Sequence, residues 1–151
     1  MKKQLVYAID PGTEQSAIIS FDGERVHTAE ILENERLVRL IRNSCAELYS
    51  RVLAIEMIAS MGMAVGKSTF ETCRWIGRFE EAAKHSGAKV RMIYRMQVKL
   101  HHCQNARAKD ANISQALRDK YGGTKKGEPL NRVKTHLWSA LAIAAFVLES
   151  D

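Results

Sequence analysis

A chain of 151 residues, 46% hydrophobic and 26% charged, is long enough to bury a genuine core and is expected to form one domain over 1–151. No run approaches the roughly 18 uninterrupted apolar residues of a membrane helix, and Met1-Lys2-Lys3-Gln4 leads straight into a strand with no signal-peptide pattern. The net charge is +6, but residues 89–134 carry twelve Lys or Arg against Asp110, Asp119 and Glu128, leaving about −3 elsewhere; a localised basic third implies a polyanionic partner, where an even basic surface would imply only solubility.

Taken in chain order, residues 4–10 read as a strand and 15–21 as a second. Asp22-Gly23 is a two-residue hairpin signal, with the return strand over 25–31. Leu37, Leu40, Ile41, Cys45 and Leu48 then recur at helical spacing within 33–50. A fourth strand covers 51–56. Residues 57–66, rich in Met, Ala, Ser and Gly, read as a mobile loop. Ser68 or Thr69 is the expected cap of the next helix, whose inward face is Phe70, Cys73, Ile76 and Ala83, with Gly87 after its end. Residues 90–94 form a fifth strand. A helix over 108–121 turns Ile113, Ala116 and Leu117 inward and stops at Gly122-Gly123. The polar stretch 124–131 is a loop, and a last helix covers about 133–149 with Leu137, Leu141, Ala144, Ala145 and Leu148 on one stripe. The order β-β-β-α-β-α-β-α-α implies an α/β fold, with a mixed five-stranded sheet and helices on both faces.

Two acids stand out. Asp10 ends the apolar run Leu5-Val6-Tyr7-Ala8-Ile9 and meets the tight turn Pro11-Gly12-Thr13; Glu56 ends Val52-Leu53-Ala54-Ile55 in the same way. If the crossover through 33–50 returns beside the first strand, the two carboxylates converge at one sheet edge, where hard oxygen ligands suit magnesium or manganese. Spacing alone leaves a turn aspartate and a surface glutamate equally open. The cysteines Cys45, Cys73 and Cys103 are odd in number, widely spaced and without a CxxC, which fits a reducing cytoplasm rather than a disulfide framework. His101-His102-Cys103 has no partner pair at zinc-ligand spacing and reads as helix surface or core.

Several of these segments, in this order, carry a resemblance that spans nearly the whole chain. Ile9-Asp10-Pro11-Gly12, Ala54-Ile55-Glu56, Gln97-Val98-Lys99, Ala108-Lys109 and Ala140-Leu141-Ala142-Ile143-Ala144 resemble RuvC-type Holliday-junction resolvases of the short phage kind, which have the ribonuclease-H-like fold. The resemblance implies catalytic carboxylates at Asp10 and Glu56 and functional basic groups at Lys99 and Lys109. The family also places two metal-side groups one turn apart at the start of the last helix. Here that window reads His136-Leu137-Trp138-Ser139. His136 can replace the first acid as ligand or base; Ser139 is a weak substitute for the second. Asp110 is the candidate compensating acid, or else an ordinary first-turn aspartate favoured by the helix dipole.

The reading is therefore a Mg2+-dependent (Mn2+ substituting) endonuclease that nicks branched DNA, four-way junctions above all. The resemblance implies 5′-phosphate products and a homodimer, since symmetric resolution needs two nicks. Asp10, Glu56, His136 and Asp110 are the candidate metal-side groups. Lys99, Arg107, Lys109, Lys125, Lys126, Arg132 and Lys134 are the candidate phosphate contacts. Phe70 is either a core residue, the expected role, or a stacking wedge at an opened junction; Trp75 and Trp138 read as core or interface. No membrane and no nucleotide cofactor is expected, and the location is cytoplasmic, that of the host if phage-encoded. Two other readings stay open: a junction-binding protein with weak or no nuclease activity, motivated by Ser139, and an actin-like ATPase fragment, motivated by the Asp10-Pro11-Gly12-Thr13 turn.

Overall fold

The computed structural model describes residues 3–150; Met1 and Lys2, part of the N-terminal stretch considered above, lie outside the described residues. Five strands form one sheet: β1 Val6–Asp10, β2 Gln15–Phe21, β3 Val26–Glu33, β4 Val52–Met57 and β5 Lys89–Tyr94. Their order is β3-β2-β1-β4-β5. The first three form an antiparallel meander, while β4 runs parallel to β1 and β5 parallel to β4. The helices are α1 Asn34–Arg42, α2 Cys45–Leu48, α3 Lys67–His85, α4 Arg95–Cys103, α5 Asp110–Tyr121 and α6 Leu137–Ser150. The mixed five-stranded sheet is the one expected from the pattern, with helices on both faces.

Strand alternation sorts the two cores. Val6, Ala8, Val52 and Ala54 face the core built under α6, with α4 and α5 behind it. Tyr7, Ile9, Leu53 and Ile55 face the core under α1 and α3. Helix α6 is buried nearly all round because it lies between the sheet and α4 and α5; Ala140, Ala142, Ala144 and Ala145 keep it thin enough for close approach to β1 and β2. By the same parity, the next even positions, Asp10 and Glu56, lie on the α6 side of the sheet.

Several boundaries differ from the expectation, each for a local reason. The helix over 33–50 is two helices. Asn43 and Ser44 interrupt it, and the Ser44 hydroxyl bonds back to the Leu40 carbonyl. Val38, not Leu40, is the buried partner of Leu37 and Ile41; Leu40 is 44% exposed and Cys45 is exposed. The hairpin loop is four residues, Asp22 to Arg25, in which the Asp22 carboxylate accepts from the Glu24 and Arg25 backbone amides. Helix α3 begins at Lys67 after Gly66, with no side-chain cap, so neither Ser68 nor Thr69 caps it. Its buried face is Thr72, Ile76, Phe79 and Ala83, and Phe70 is 60% exposed, which overturns the expected core role. Helix α4 was not expected: of its nine residues only Val98 is buried, so it carries no apolar stripe to read. The last helix starts at Leu137 rather than near 133. Leu130 and Val133 are buried anchors of the preceding loop instead.

Candidate functional site

Asp10 and Glu56 meet because of register. Val6 pairs with Val52, Ala8 with Ala54 and Ile9 with Ile55, so one further step sets Asp10 level with Glu56 on a neighbouring parallel strand. Their carboxyls face each other across the strand pair. Burial, and then the facing Glu56 carboxyl, push the Asp10 carboxyl up to about 8, with the Arg95 guanidinium pulling the other way. Two facing acids, one of them largely buried, are a pair that a divalent cation would relieve.

The turn after Asp10 is locked from behind. Gly12 donates its backbone N–H to Ser16 Oγ at 3.0 Å, Ser16 Oγ donates to Asn34 Oδ1 at 2.6 Å, and Asn34 Nδ2 donates to the Gly12 carbonyl at 2.9 Å. The Asn34 amide bonds Glu14 O at 2.9 Å. Ser16 and Asn34 are both buried, so this closed ring fixes where β1 ends. A Cβ on Gly12 would stand 2.3 Å from the Gln15 carbonyl oxygen, so the turn admits only glycine there. The Gly12 N–H is spent inside this ring and is not free to meet a phosphate.

Around the two acids stand His136, Arg95 and Asp110. His136 immediately precedes α6, where its carbonyl accepts from the Ser139 and Ala140 amides, and its Nδ1 lies 3.3 Å from Asp10 Oδ2. It precedes the helix rather than lying inside it, yet its side chain and that of Ser139 border the same cavity. Arg95, the first residue of α4, places Nη1 3.4 Å from Glu56 Oε1 and pairs through Nη2 with Asp110, the first residue of α5. Glu56, Arg95, Asp110, Ser114, His136 and Ser139 line one cavity of about 310 Å³. A second cleft runs from His136 along Asp10 to Gln15, and a third holds Glu56, Arg95 and Lys99 with Met57, Met61 and Met96. His136 lines both the first and second clefts, and Glu56 and Arg95 both the first and third, so the three adjoin as a trench across the strand ends.

The sequence-based candidates divide accordingly. Asp10, Glu56, His136, Asp110 and Lys99 come together along this trench. Lys109 is exposed, preceding α5; its amide donates to Asn112 Oδ1 at 2.9 Å, and its side chain does not line the cavity. Arg107 is exposed on the loop before α5, and Lys125, Lys126, Arg132 and Lys134 are exposed on the loop between α5 and α6. That loop is held to the β2–β3 hairpin by the Val26 amide on Pro129 O at 2.9 Å. Phe70 sits exposed in the first turn of α3, beyond the 58–66 loop that leaves β4. Trp138 is half-buried with the Arg118 guanidinium 4.7 Å over its ring, and Trp75 stacks on Phe79, as packing residues do.

Arg95, Ser16 and Asn34 were missed. Arg95 follows the last residue of β5 just as Glu56 closes β4, so strand-end position was the available signal. Ser16 and Asn34 carry no motif and show only as buried polar groups. His101, His102 and Glu149 form a separate cluster with ligand atoms within 4.8 Å of one another. Glu149 is already taken by the Lys120 ammonium and the Tyr121 hydroxyl, and His102 Nε2 lies 2.8 Å from Ala142 O. Burial pushes the Glu149 carboxyl up, but those two partners outweigh it and hold it below its usual range. The cluster ties α4 and α5 to α6.

No protein-family model matches the chain, and no curated protein matches it in sequence. Solved structures do. Thermus thermophilus RuvC superposes with a TM-score of 0.78 at 19% identity, over 97% of this chain and 95% of that one. T. thermophilus RuvC in complex with a Holliday-junction substrate gives 0.72 at 16%, over 97% and 94%. Fowlpox virus resolvase bound to substrate Holliday-junction DNA gives 0.50 at 13%, over 96% and 99%. The chain has the fold of RuvC. Among the described residues no helix is long and apolar enough to cross a membrane.

Proposed function

We propose that this protein is a divalent-metal-dependent endonuclease that nicks branched DNA, with four-way junctions as its main substrate. The observation that carries the reading is the Asp10–Glu56 pair: two carboxyls facing each other at the ends of parallel strands, beside a surface segment of strong positive charge. The neighbours of the same fold include two solved with Holliday-junction DNA, which makes that substrate class the first to try.

The donor set fits Mg2+ or Mn2+: hard carboxylate oxygens from Asp10 and Glu56, with Asp110 and the His136 imidazole at the rim. When bound, such cations supply activation of the attacking water and charge stabilisation at the leaving 3′ oxygen, leaving a 5′ phosphate. The chain's own groups do the rest. The Ser16–Asn34 ring holds Asp10 still. His136, largely exposed and hydrogen-bond-close to Asp10, is placed to take a proton from the water side of the trench. Lys99 meets the scissile phosphate from the third cleft, and Lys109 and Arg107 meet its neighbours. Lys125, Lys126, Arg132 and Lys134 hold the flanking backbone. Exposed Phe70 stacks on an unpaired base at the junction centre. Two copies nick the two strands symmetrically.

A second reading is a junction-binding protein with weak or no nuclease activity. Ser139 lining the cavity where an acid would strengthen cation binding favours it. A synthetic four-way junction incubated with Mg2+ or Mn2+ separates the two: paired nicks that vanish in EDTA support the enzyme, whereas tight binding without nicking under both metals assigns the chain to the second reading.

A further inference from the structure

The trench contains its own cation. The Arg95 guanidinium lies between two acids from different elements, 3.4 Å from Glu56 of β4 through Nη1 and paired with Asp110 of α5 through Nη2. Its backbone is fixed, because α4 starts there directly after β5, with the Tyr94 amide donating to Gln97 Oε1 at 2.8 Å. The side chain is not fixed by burial: it is 39% exposed and borders both the main cavity and the cleft containing Lys99. A guanidinium in this position satisfies the acids that a metal would otherwise bind. A long, planar, always-charged fork can also exchange one oxyanion for another without deprotonating.

We infer that Arg95 is a resident cation of the acidic trench, latched onto Glu56 and Asp110 in the metal-free protein and released to a DNA phosphate when a divalent cation takes the carboxylates. The inference rests on the metal-dependent reading above and adds to it a coupling. Metal loading frees the guanidinium, and the Lys99 cleft beside it gives the freed fork a second basic group with which to clasp the backbone. The latch also keeps the trench from presenting uncompensated acid to DNA before metal is bound. It predicts opposite effects of one substitution on two ligands. Loss of Arg95 removes a competitor for metal and a contact for DNA.

Mn2+ binding to DNA-free protein, followed by the spin signal of free Mn2+, tests the first half with wild type, Arg95→Gln, Arg95→Lys and Asp10→Asn. Arg95→Gln should bind Mn2+ about five- to tenfold more tightly, because a unit charge held against the ligand carboxylates is gone. Arg95→Lys keeps the charge but cannot bridge both acids, and should fall between. The second half is junction affinity against salt, in EDTA and with Ca2+. With Ca2+ the Arg95→Gln log–log slope should be shallower by about one unit, the loss of one phosphate contact; in EDTA, where the latch stays closed, the slopes should coincide. Mn2+ affinity unchanged or weakened in Arg95→Gln, or equal slopes with Ca2+, overturns the latch. Undiminished Mn2+ binding by Asp10→Asn instead fails the metal reading itself, and the latch with it. Thermal melts of the variants establish that each is folded before it is scored.

Discussion

Asp10 and Glu56 face each other across the ends of the parallel β1–β4 pair, and burial, with the Glu56 carboxyl opposite, pushes the Asp10 carboxyl up to about 8. The sign of that shift dictates a stability profile. A carboxyl whose folded pKa is raised above its ordinary 3.8 gives full stability below about pH 4 and loses it as pH climbs to about 8. Asp10→Asn removes the charge and keeps the shape. In EDTA at pH 8 it should therefore be more stable than wild type by on the order of 2 kcal/mol, or roughly 4–8 °C in Tm. At pH 4 the two should melt together. Scanning calorimetry at both pH values checks this, and a destabilised Asp10→Asn at pH 8 would show that the carboxylate is well paired rather than frustrated.

The same substitution should abolish cleavage while sparing junction binding, as should Glu56→Gln. Loss of a charged ligand at the reacting phosphate costs at least about 3 kcal/mol of barrier, roughly a hundredfold in rate. Single-turnover cleavage and gel-shift affinity, measured on the same preparation, give the two readouts. Near-wild-type turnover by either variant rejects the assignment of these acids.

The Asn34 ring makes a prediction remote from the reacting atoms. Asn34→Ala leaves the Ser16 hydroxyl and the Gly12 carbonyl without their buried partner, at a cost of about 1–3 kcal/mol. Because the ring fixes the end of β1, the rate should fall at saturating junction, with affinity for DNA unchanged. Chemical denaturation together with saturating kinetics checks both. A variant that loses stability but keeps its full rate would make the ring a fold element only.

Junction affinity should fall steeply with salt. If about five phosphates are neutralised by the 89–134 segment, the log–log slope lies near −4 to −5. Lys125 and Lys126 are exposed on the loop held to the β2–β3 hairpin, so replacing both with Gln should flatten the slope by up to about two units without unfolding the loop. Binding titrations over a salt series measure it; a flat dependence would place the DNA elsewhere.

What the sequence made legible follows from where its signals are local. Asp10 and Glu56 each end an apolar strand, and a single crossover rule puts those strands side by side, so the pair could be read before any coordinates. Strand alternation puts the two acids on one face of the sheet, but that α6 covers that face is a tertiary fact. Helix α4 was invisible because the sequence 95–103 buries only Val98 and thus has no period. The i, i+3 spacing of His136 and Ser139 brought both to one cavity, but the helix start was set too early because Val133 looks like helix and instead anchors the loop. Phe70 fitted the α3 stripe by spacing, yet the face that packs is rotated to Thr72, Ile76 and Phe79. Arg95 required tertiary knowledge: that β5 lies next to β4, and that α5 brings Asp110 back over it.

Ser139 and Asp110 offer a contest for one role. Both line the cavity that contains Glu56 and His136. Ser139 brings a hydroxyl from the first turn of α6; Asp110 brings a carboxylate from the first turn of α5, already paired with Arg95. If the trench lacks an acid, Ser139→Asp adds a hard oxygen ligand and should lower the Mg2+ concentration needed for half-maximal cleavage, with the rate kept or raised. If Asp110 already supplies that acid, Ser139→Asp crowds a second negative charge into the cavity and gains nothing, whereas Asp110→Asn becomes the damaging change. The Arg95 pairing bears on the size of that damage. Asp110→Asn also frees the guanidinium to bear on Glu56 alone, so its half-maximal Mg2+ should rise by more than the loss of one rim ligand would give, and Asp110→Asn combined with Arg95→Gln should recover part of it. Cleavage rates for wild type and the three variants across a magnesium titration decide the matter. No change in metal dependence in any of them would put the third metal-side group outside this cavity.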